Sequence, residues 1–319
     1  MRPTNTRATV EAGIMSAIAI VFALISAYVP VIGAFVTLLW PVPIILLGVR
    51  HGFRWSLMAT VVAGVLCAIL IQPLKAISIV VGFGLIGLVF GHAFRERFGP
   101  FKTILWGSVA TLISTAGLIA INMFIIGINP VEMMLGDMDS AIVQAAETYR
   151  RMGMAEEQIE RMAASMKTMI ALFRVVLPGS FVLGAIMQTY INFIIARVVL
   201  RRLGHPVPSF PPFKEWTLPL PMLYILYLGS GLLFAGQYMQ LELLNYIGAN
   251  ALIVTFILFA GQGLALFYYL ADKYNLSRLI RNIILIIILT NNFFLLFVTL
   301  AGIYDLAVDY RRLKMSRSP

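Results

Sequence analysis

Charge is scarce in this 319-residue chain: only 12% of residues are Asp, Glu, Lys or Arg, about half the ~25% of a soluble domain. The shortage excludes an ordinary water-soluble fold, because 60% of residues are apolar and the mean hydropathy is +0.91. Cysteine is nearly absent too. With Cys67 alone, neither an intrachain disulfide nor a cysteine metal site can form within one chain. The three histidines, His51, His92 and His205, all fall at the ends of apolar runs, where an interfacial polar residue is the plain reading and no metal site is supported. There is no GxxxxGK[ST] loop, no HExxH and no EF-hand loop, which excludes nucleotide hydrolysis of the Walker type by this chain alone. No convergent nucleophile and base can be named either. The expectation is a protein that is not an enzyme and needs no cofactor.

What the chain does have is long apolar runs. A hydrocarbon core of roughly 30 Å takes about 20 apolar residues per helix, and nine runs near that length can be marked: 10–29, 31–49, 55–72, 75–92, 102–127, 170–200, 218–236, 247–270 and 283–303. Only helices can satisfy the backbone at such depth without closing a barrel. The fold class is therefore an all-α polytopic membrane bundle of about eight to ten helices. The formal charge of +10 does not indicate nucleic acid, since the basic residues cluster at run ends rather than interleaving with aromatics.

Those clusters set orientation, because Lys and Arg flanking spans favour the cytoplasm. With the N-terminus inside, the inner loops receive Arg50 and Arg54, then Arg95, Arg97 and Lys102, then Arg201, Arg202 and Lys214, then Lys273, Arg278 and Arg281. The partition requires the second run to cross despite Pro41 and Pro43. Nine crossings would however leave Arg311, Arg312, Lys314 and Arg317 outside, so something near the end is not a simple span. Asn291 and Asn292, in the middle of the last run, mark a hairpin or a broken helix.

Two stretches stand outside the lipid. Residues 130–168 hold seven of the fourteen acids, among them Glu132, Asp137 and Asp139. Their apolar residues, Met134, Met138, Ile142, Ala145, Tyr149 and Met152, then Ile159, Met162, Ala163, Met166 and Ile170, recur at helical spacing. The pattern predicts two amphipathic helices broken near Gly153, the second running into the next span, and forming either a surface cap or a lid or docking surface. The stretch RRLGHPVPSFPPFKEW, with prolines at 206, 208, 211 and 212, is a stiff linker over 205–216. It separates a membrane domain over 1–204 from C-terminal membrane helices over 217–319.

Polar residues within spans are expensive and usually face the bundle interior or a cavity. Gln188 and Asn192 share a helix face; with Arg174 and Asn122 at similar outer depth they are the candidate ligand-binding residues, interhelical hydrogen bonding being the alternative. Asn250 and Gln262 form a second set. Small residues at i, i+4 spacing let helix backbones approach: Ala19, Ala23 and Ala27, Gly87 with Gly91, Gly64 with Ala68, and Gly261 with Ala265. They serve packing within the chain or docking of a partner. Glu11, the one acid at the start of the first run, is explained by a neighbouring Arg or by the helix N-terminus.

The alanine-rich EAGIMSAIAIVFALISAYV followed by WPVPIILLGVRHGFRWSLMATVVAGVL, with a proline-bearing short span and a glycine turn at Gly48 to Gly52, resembles the substrate-binding S components of energy-coupling factor transporters over about residues 1–203. Over nearly the whole chain, including the ending GIYDLAVDYRRLK, it is more closely similar to the YybS-like family of bacterial membrane proteins. The S-component likeness implies a six-span core that binds a small molecule from outside and docks on a membrane partner such as a transporter coupling subunit. Either Ala8, Ala12 and Ser16 or Ala19, Ala23 and Ala27 would form that docking face. The expected function is a small-solute-binding or transport-related component of the bacterial plasma membrane, with a cytoplasmic N-terminus and no ATPase of its own. The alternative is a scaffold that recruits partners in cell-envelope assembly. Beyond the lipid bilayer, a membrane-protein partner and a small-molecule ligand, no nucleic acid is expected.

Overall fold

A computed structural model describes residues 3–311, with side chains from residue 6 onward, so Arg312, Lys314 and Arg317 lie outside the described residues. Among these residues there are helices and no strands. Eight helical stretches are long and apolar enough to cross a membrane, and a ninth candidate is a bent pair near the C-terminus. By its contacts the chain divides into two compact units, residues 1–148 with 181–209, and residues 149–180 with 210–319. The sequence boundary at the 205–216 linker falls close to the last of these joins.

The first unit begins with α1 (Pro3–Tyr28) and a broken crossing made of α2 (Ile32–Thr37) and α3 (Pro41–His51). Pro41 and Pro43 lie in the first turn of α3, where a backbone N–H has no partner in the helix and proline costs little. The break therefore falls at Leu38–Trp40, and α2 with α3 still passes as one stretch of 20 residues. Every residue from Pro41 to Gly48 is buried, so α3 is the enclosed centre of the unit. It is followed by α4 (Phe53–Leu70), α5 (Pro73–Ile79), α6 (Leu85–Arg95) and α7 (Pro100–Ile121), with π-helical turns at Val80–Gly84 and Asn122–Ile126.

Small residues make this unit tight. Ala12, Ala19 and Ala23 of α1 are buried in one cluster with Ala59, Ala63 and Cys67 of α4 and with Trp40 and Ile44, and Ser16 Oγ donates to the Ala59 carbonyl at 3.3 Å. Ala27 is half-buried. Gly91 faces Gly48 so closely that a Cβ on either would come within 2.9–3.1 Å of the other's Cα, and a Cβ on Gly87 would stand 3.2 Å from Ile44. Gly48 is thus an interior contact of α3 with α6 rather than part of a turn. The turn itself rests on Gly52 alone, at φ +92°.

The amphipathic segment consists of α8 (Pro130–Arg151) and the start of α9 (Glu156–Arg202), separated by Gly153 at φ +82°. Leu135 and Ile142, two turns apart, are the buried positions of α8, whereas Met134 and Met138 stay exposed. Arg150 spans the break to hold Glu156, its Nε at 3.0 Å from the carboxylate. At 47 residues α9 is about 70 Å long at 1.5 Å per residue, more than twice a hydrocarbon core.

The second unit contains α10 (Pro221–Met239), α11 (Glu242–Lys273), α12 (Arg278–Thr290) and α13 (Asn292–Val308). Within it, Asn250 repairs the helix at Pro178. Its Oδ1 accepts from Gly179 N at 2.6 Å and its Nδ2 donates to the Val175 carbonyl at 2.8 Å, the two groups an uninterrupted helix would pair with each other. The final run breaks at Asn291, which ends α12 and caps α13 by accepting from Phe293 N at 2.9 Å. The two helices meet at a bend of 103°. At 13 residues α12 rises about 20 Å, too short to cross alone.

The contacts of α13 with α11 give the direction of the last helix. On α13, Gly302 lies against Phe259 and Gly263 of α11, Asp305 against Gln262, and the residues after it, Val308 and Tyr310, beside Tyr269 and Lys273. The helices are therefore parallel, and α13 carries the chain back to the end of the unit where α11 finishes. A Cβ on Gly263 would overlap the Val298 carbonyl at 1.8 Å, so the two backbones touch. The pair α12–α13 starts and finishes at the same end.

Candidate functional site

Four groupings of polar residues bear on function. The first lies at the basic end of the first unit and is built around Glu11, whose carboxylate accepts from Arg7 Nε at 3.1 Å, faces His51 Nε2 at 2.9 Å and reaches Arg50 at 3.4 Å. Arg50 Nε in turn donates to His205 Nε2 at 3.1 Å. His205 must be neutral to accept that bond, and burial together with the positive charge of Arg50 lowers its pKa from 6.5. Two of the three histidines thus belong to a network that ties α1 and α3 to the chain just after α9. Sequence gave Glu11 a neighbouring Arg, but its partners 39 and 40 residues away carried no local signal.

Beside this network, at the α6–α7 turn, a groove of about 650 Å³ opens on the surface of the first unit. Phe53, Phe98, Trp106 and Leu88 form most of its wall, and His92 and Lys102 stand at its polar edge. Lys102 Nζ sits over the Phe98 ring at 3.8 Å, and His92 meets the same ring edge-on at 6.0 Å. None of the lining residues is acidic.

The end of the second unit where α11 and α13 finish holds a buried lock. Asp305 and Arg311 are 3% and 6% exposed; Arg311 Nη2 meets the carboxylate at 2.8 Å and its Nε bonds both oxygens at 3.1–3.2 Å. The same guanidinium donates to the Lys214 and Trp216 carbonyls of the linker. Gln262 Nε2 donates to Asp305 at 2.6 Å, and its Oε1 accepts from Leu218 N at 2.9 Å. Outside it, Asp272 takes Lys214 at 2.9 Å and Arg281 at 3.0 Å, and that carboxylate raises the pKa of Lys214. Arg311 comes back onto Asp305 because Asp309 adopts a left-handed conformation, φ 51°, just beyond α13.

The four residues singled out from sequence do not share a unit. Arg174 is exposed and belongs to the second, while Asn122, Gln188 and Asn192 belong to the first. Asn192 is 2% exposed and donates to the Gln188 carbonyl at 2.9 Å, and Asn122 donates to the Leu118 carbonyl at 2.8 Å. Both amides are thus engaged with their own helices. Next to Asn192, Thr111 and Thr189 pair at 3.1 Å, and Phe193 packs against Phe90 and Phe94. Among the described residues no three of His, Cys, Asp and Glu gather as a metal-ligand set.

Closely packed apolar helices of spanning length, with polar side chains spent on joining helices, define a polytopic membrane protein. The chain belongs to the predicted membrane protein family DUF2232, whose family model matches residues 17–306. It is 23% identical over 315 residues to the uncharacterized protein YybS of Bacillus subtilis (strain 168), across 96% of this chain and 98% of that one. The match agrees with the YybS-like resemblance; the likeness to S components has no counterpart in it. No solved structure matches.

Proposed function

We propose that this chain is a non-catalytic binding component of the bacterial plasma membrane that takes an amphipathic small molecule laterally from the bilayer. The observation that carries the reading is the groove at the α6–α7 turn, with an apolar wall and two basic groups at its edge. Its volume is in the range of ligand pockets, about 300–1,000 Å³, and it opens on the helix surface that lipid would cover. The distribution of Lys and Arg supports a cytoplasmic N-terminus, and the parallel return of α13 makes a cytoplasmic tail consistent with eight crossings. Any energy for transport would come from another protein, as the chain has no phosphate loop. Native mass spectrometry of the purified protein with a thermal-shift screen of amphiphiles tests this reading. A copurifying small amphiphile or a ligand-dependent rise in the unfolding midpoint is expected, and neither appearing would overturn it.

A scaffold is the second reading, favoured by α8, which exposes Met133 and Val143 beside Glu132, Asp137 and Asp139. Deletion of residues 132–167 separates the two: loss of a protein complex with amphiphile binding intact favours the scaffold.

A further inference from the structure

The groove between the ends of α6 and α7 has a chemical polarity that narrows its occupant. Lys102 makes no ion pair among the described residues, and its ammonium is held over the face of Phe98 at 3.8 Å, a contact that positions a cation without neutralising it. His92 borders the same ring, so Phe98 is a shelf with two basic groups on it. One helical turn further along α7 lies Trp106, 52% exposed, and one turn back along α6 lies Leu88, 7% exposed. Both are about 6 Å deeper than the basic pair at 1.5 Å per residue. The groove therefore runs from a positive rim to an apolar floor in the direction from membrane surface to hydrocarbon. A tryptophan at that depth is where aromatic side chains settle at the lipid interface.

We propose that this groove is a binding site for an anionic phospholipid of the bilayer, its phosphate against Lys102 and His92 and one acyl chain along Trp106 and Leu88. The assignment rests on the lateral-binding reading above and adds the charge class of the ligand. A zwitterionic lipid would bring its own cation to a rim whose lining residues include two basic groups and no carboxylate. A free phosphate would leave the apolar floor unfilled.

The test uses the full-length protein reconstituted with brominated lipids, which quench nearby tryptophan, the Trp106 signal being the difference between the native protein and Trp106→Phe. Brominated phosphatidylglycerol is expected to quench that signal with about fivefold higher relative association than brominated phosphatidylcholine, the factor that one basic side chain contributes toward an anionic lipid. Lys102→Gln should bring the ratio to about one, and Lys102→Arg should retain it. A ratio near one in the native protein, or one that survives Lys102→Gln, overturns the anionic assignment and leaves lateral binding standing. Absence of quenching by either lipid overturns both, since the groove would then be closed to lipid. Millimolar glycerol 3-phosphate should leave that quenching unchanged; a Trp106 signal that responds to glycerol 3-phosphate and is quenched equally by both lipids would show that the headgroup alone is recognised and overturn the lipid assignment.

Discussion

Replacing Arg311 with Ala puts the lock of the second unit to its sharpest test. The Arg311 side chain is 1% exposed and the Asp305 side chain 3%, so among the described residues the substitution leaves a carboxylate with Gln262 as its remaining side-chain donor and no counter-charge. Breaking a buried pair by removing one partner costs about 3–5 kcal/mol, and the Lys214 and Trp216 carbonyls lose their donor as well. Asp305→Asn strands the guanidinium instead and should cost a similar amount, although it keeps the volume. The double variant Asp305→Leu with Arg311→Met removes both charges and should recover most of that loss, because apolar replacement of a buried ion pair is often close to neutral. What it cannot recover is the anchoring of the linker. Unfolding in mixed micelles, followed by Trp216 fluorescence, gives the stability change, and proteolysis at residues 203–220 reports whether the linker is released. The expected pattern is two costly single variants, a milder double variant and a linker cut readily in Arg311→Ala and in the double variant. Arg311→Ala within about 0.5 kcal/mol of the native protein, or single effects that simply add, would refute the reasoning.

Gly302→Ala should destabilise the second unit by about 1–3 kcal/mol, the usual cost of overpacking, because the new Cβ would meet the Phe259 carbonyl at 2.3 Å, a backbone atom that cannot rotate aside; the same micelle titration measures it. For His205 the native pKa is lowered from 6.5, so the folded state binds fewer protons than the unfolded one just below that value. Its contribution is complete above about pH 6.5 and is lost as pH falls through the native pKa, where Arg50 loses its acceptor. His205→Gln keeps an acceptor that does not titrate, so its stability should diverge from the native protein's only on the acid side.

Much of the architecture could be read from the amino acids because lipid allows few solutions. The runs, the break at Gly153 and the interruption at Asn291–Asn292 follow from length, glycine and a polar pair in the wrong place for a span. The direction taken after Asn291 could not be read, since it depends on Gly263 and Gly302, nearly forty residues apart, letting α11 and α13 touch. Gly48 was misread for a related reason: a GxxxG spacing beside a turn looks the same whether its first glycine bends the chain or admits Gly91 of another helix. Among polar residues the sequence singled out Asn250 and Gln262 but not their roles, one mending a proline break and the other joining a carboxylate to the linker. Arg311 was legible only as part of a basic tail, because its pairing with Asp305 depends on a single left-handed residue.

The lock also makes the seating of α13 depend on a residue outside it. Asp305 lies within the helix and Arg311 beyond its end at Val308, so the apolar run alone brings to α11 a carboxylate with Gln262 as donor and no counter-charge among the described residues. A polypeptide ending between Asp305 and Arg311 would retain the apolar helices and still present an unneutralised acid where lipid or protein must cover it. The apolar content that favours insertion and the charge that completes packing thus reside in different parts of the sequence.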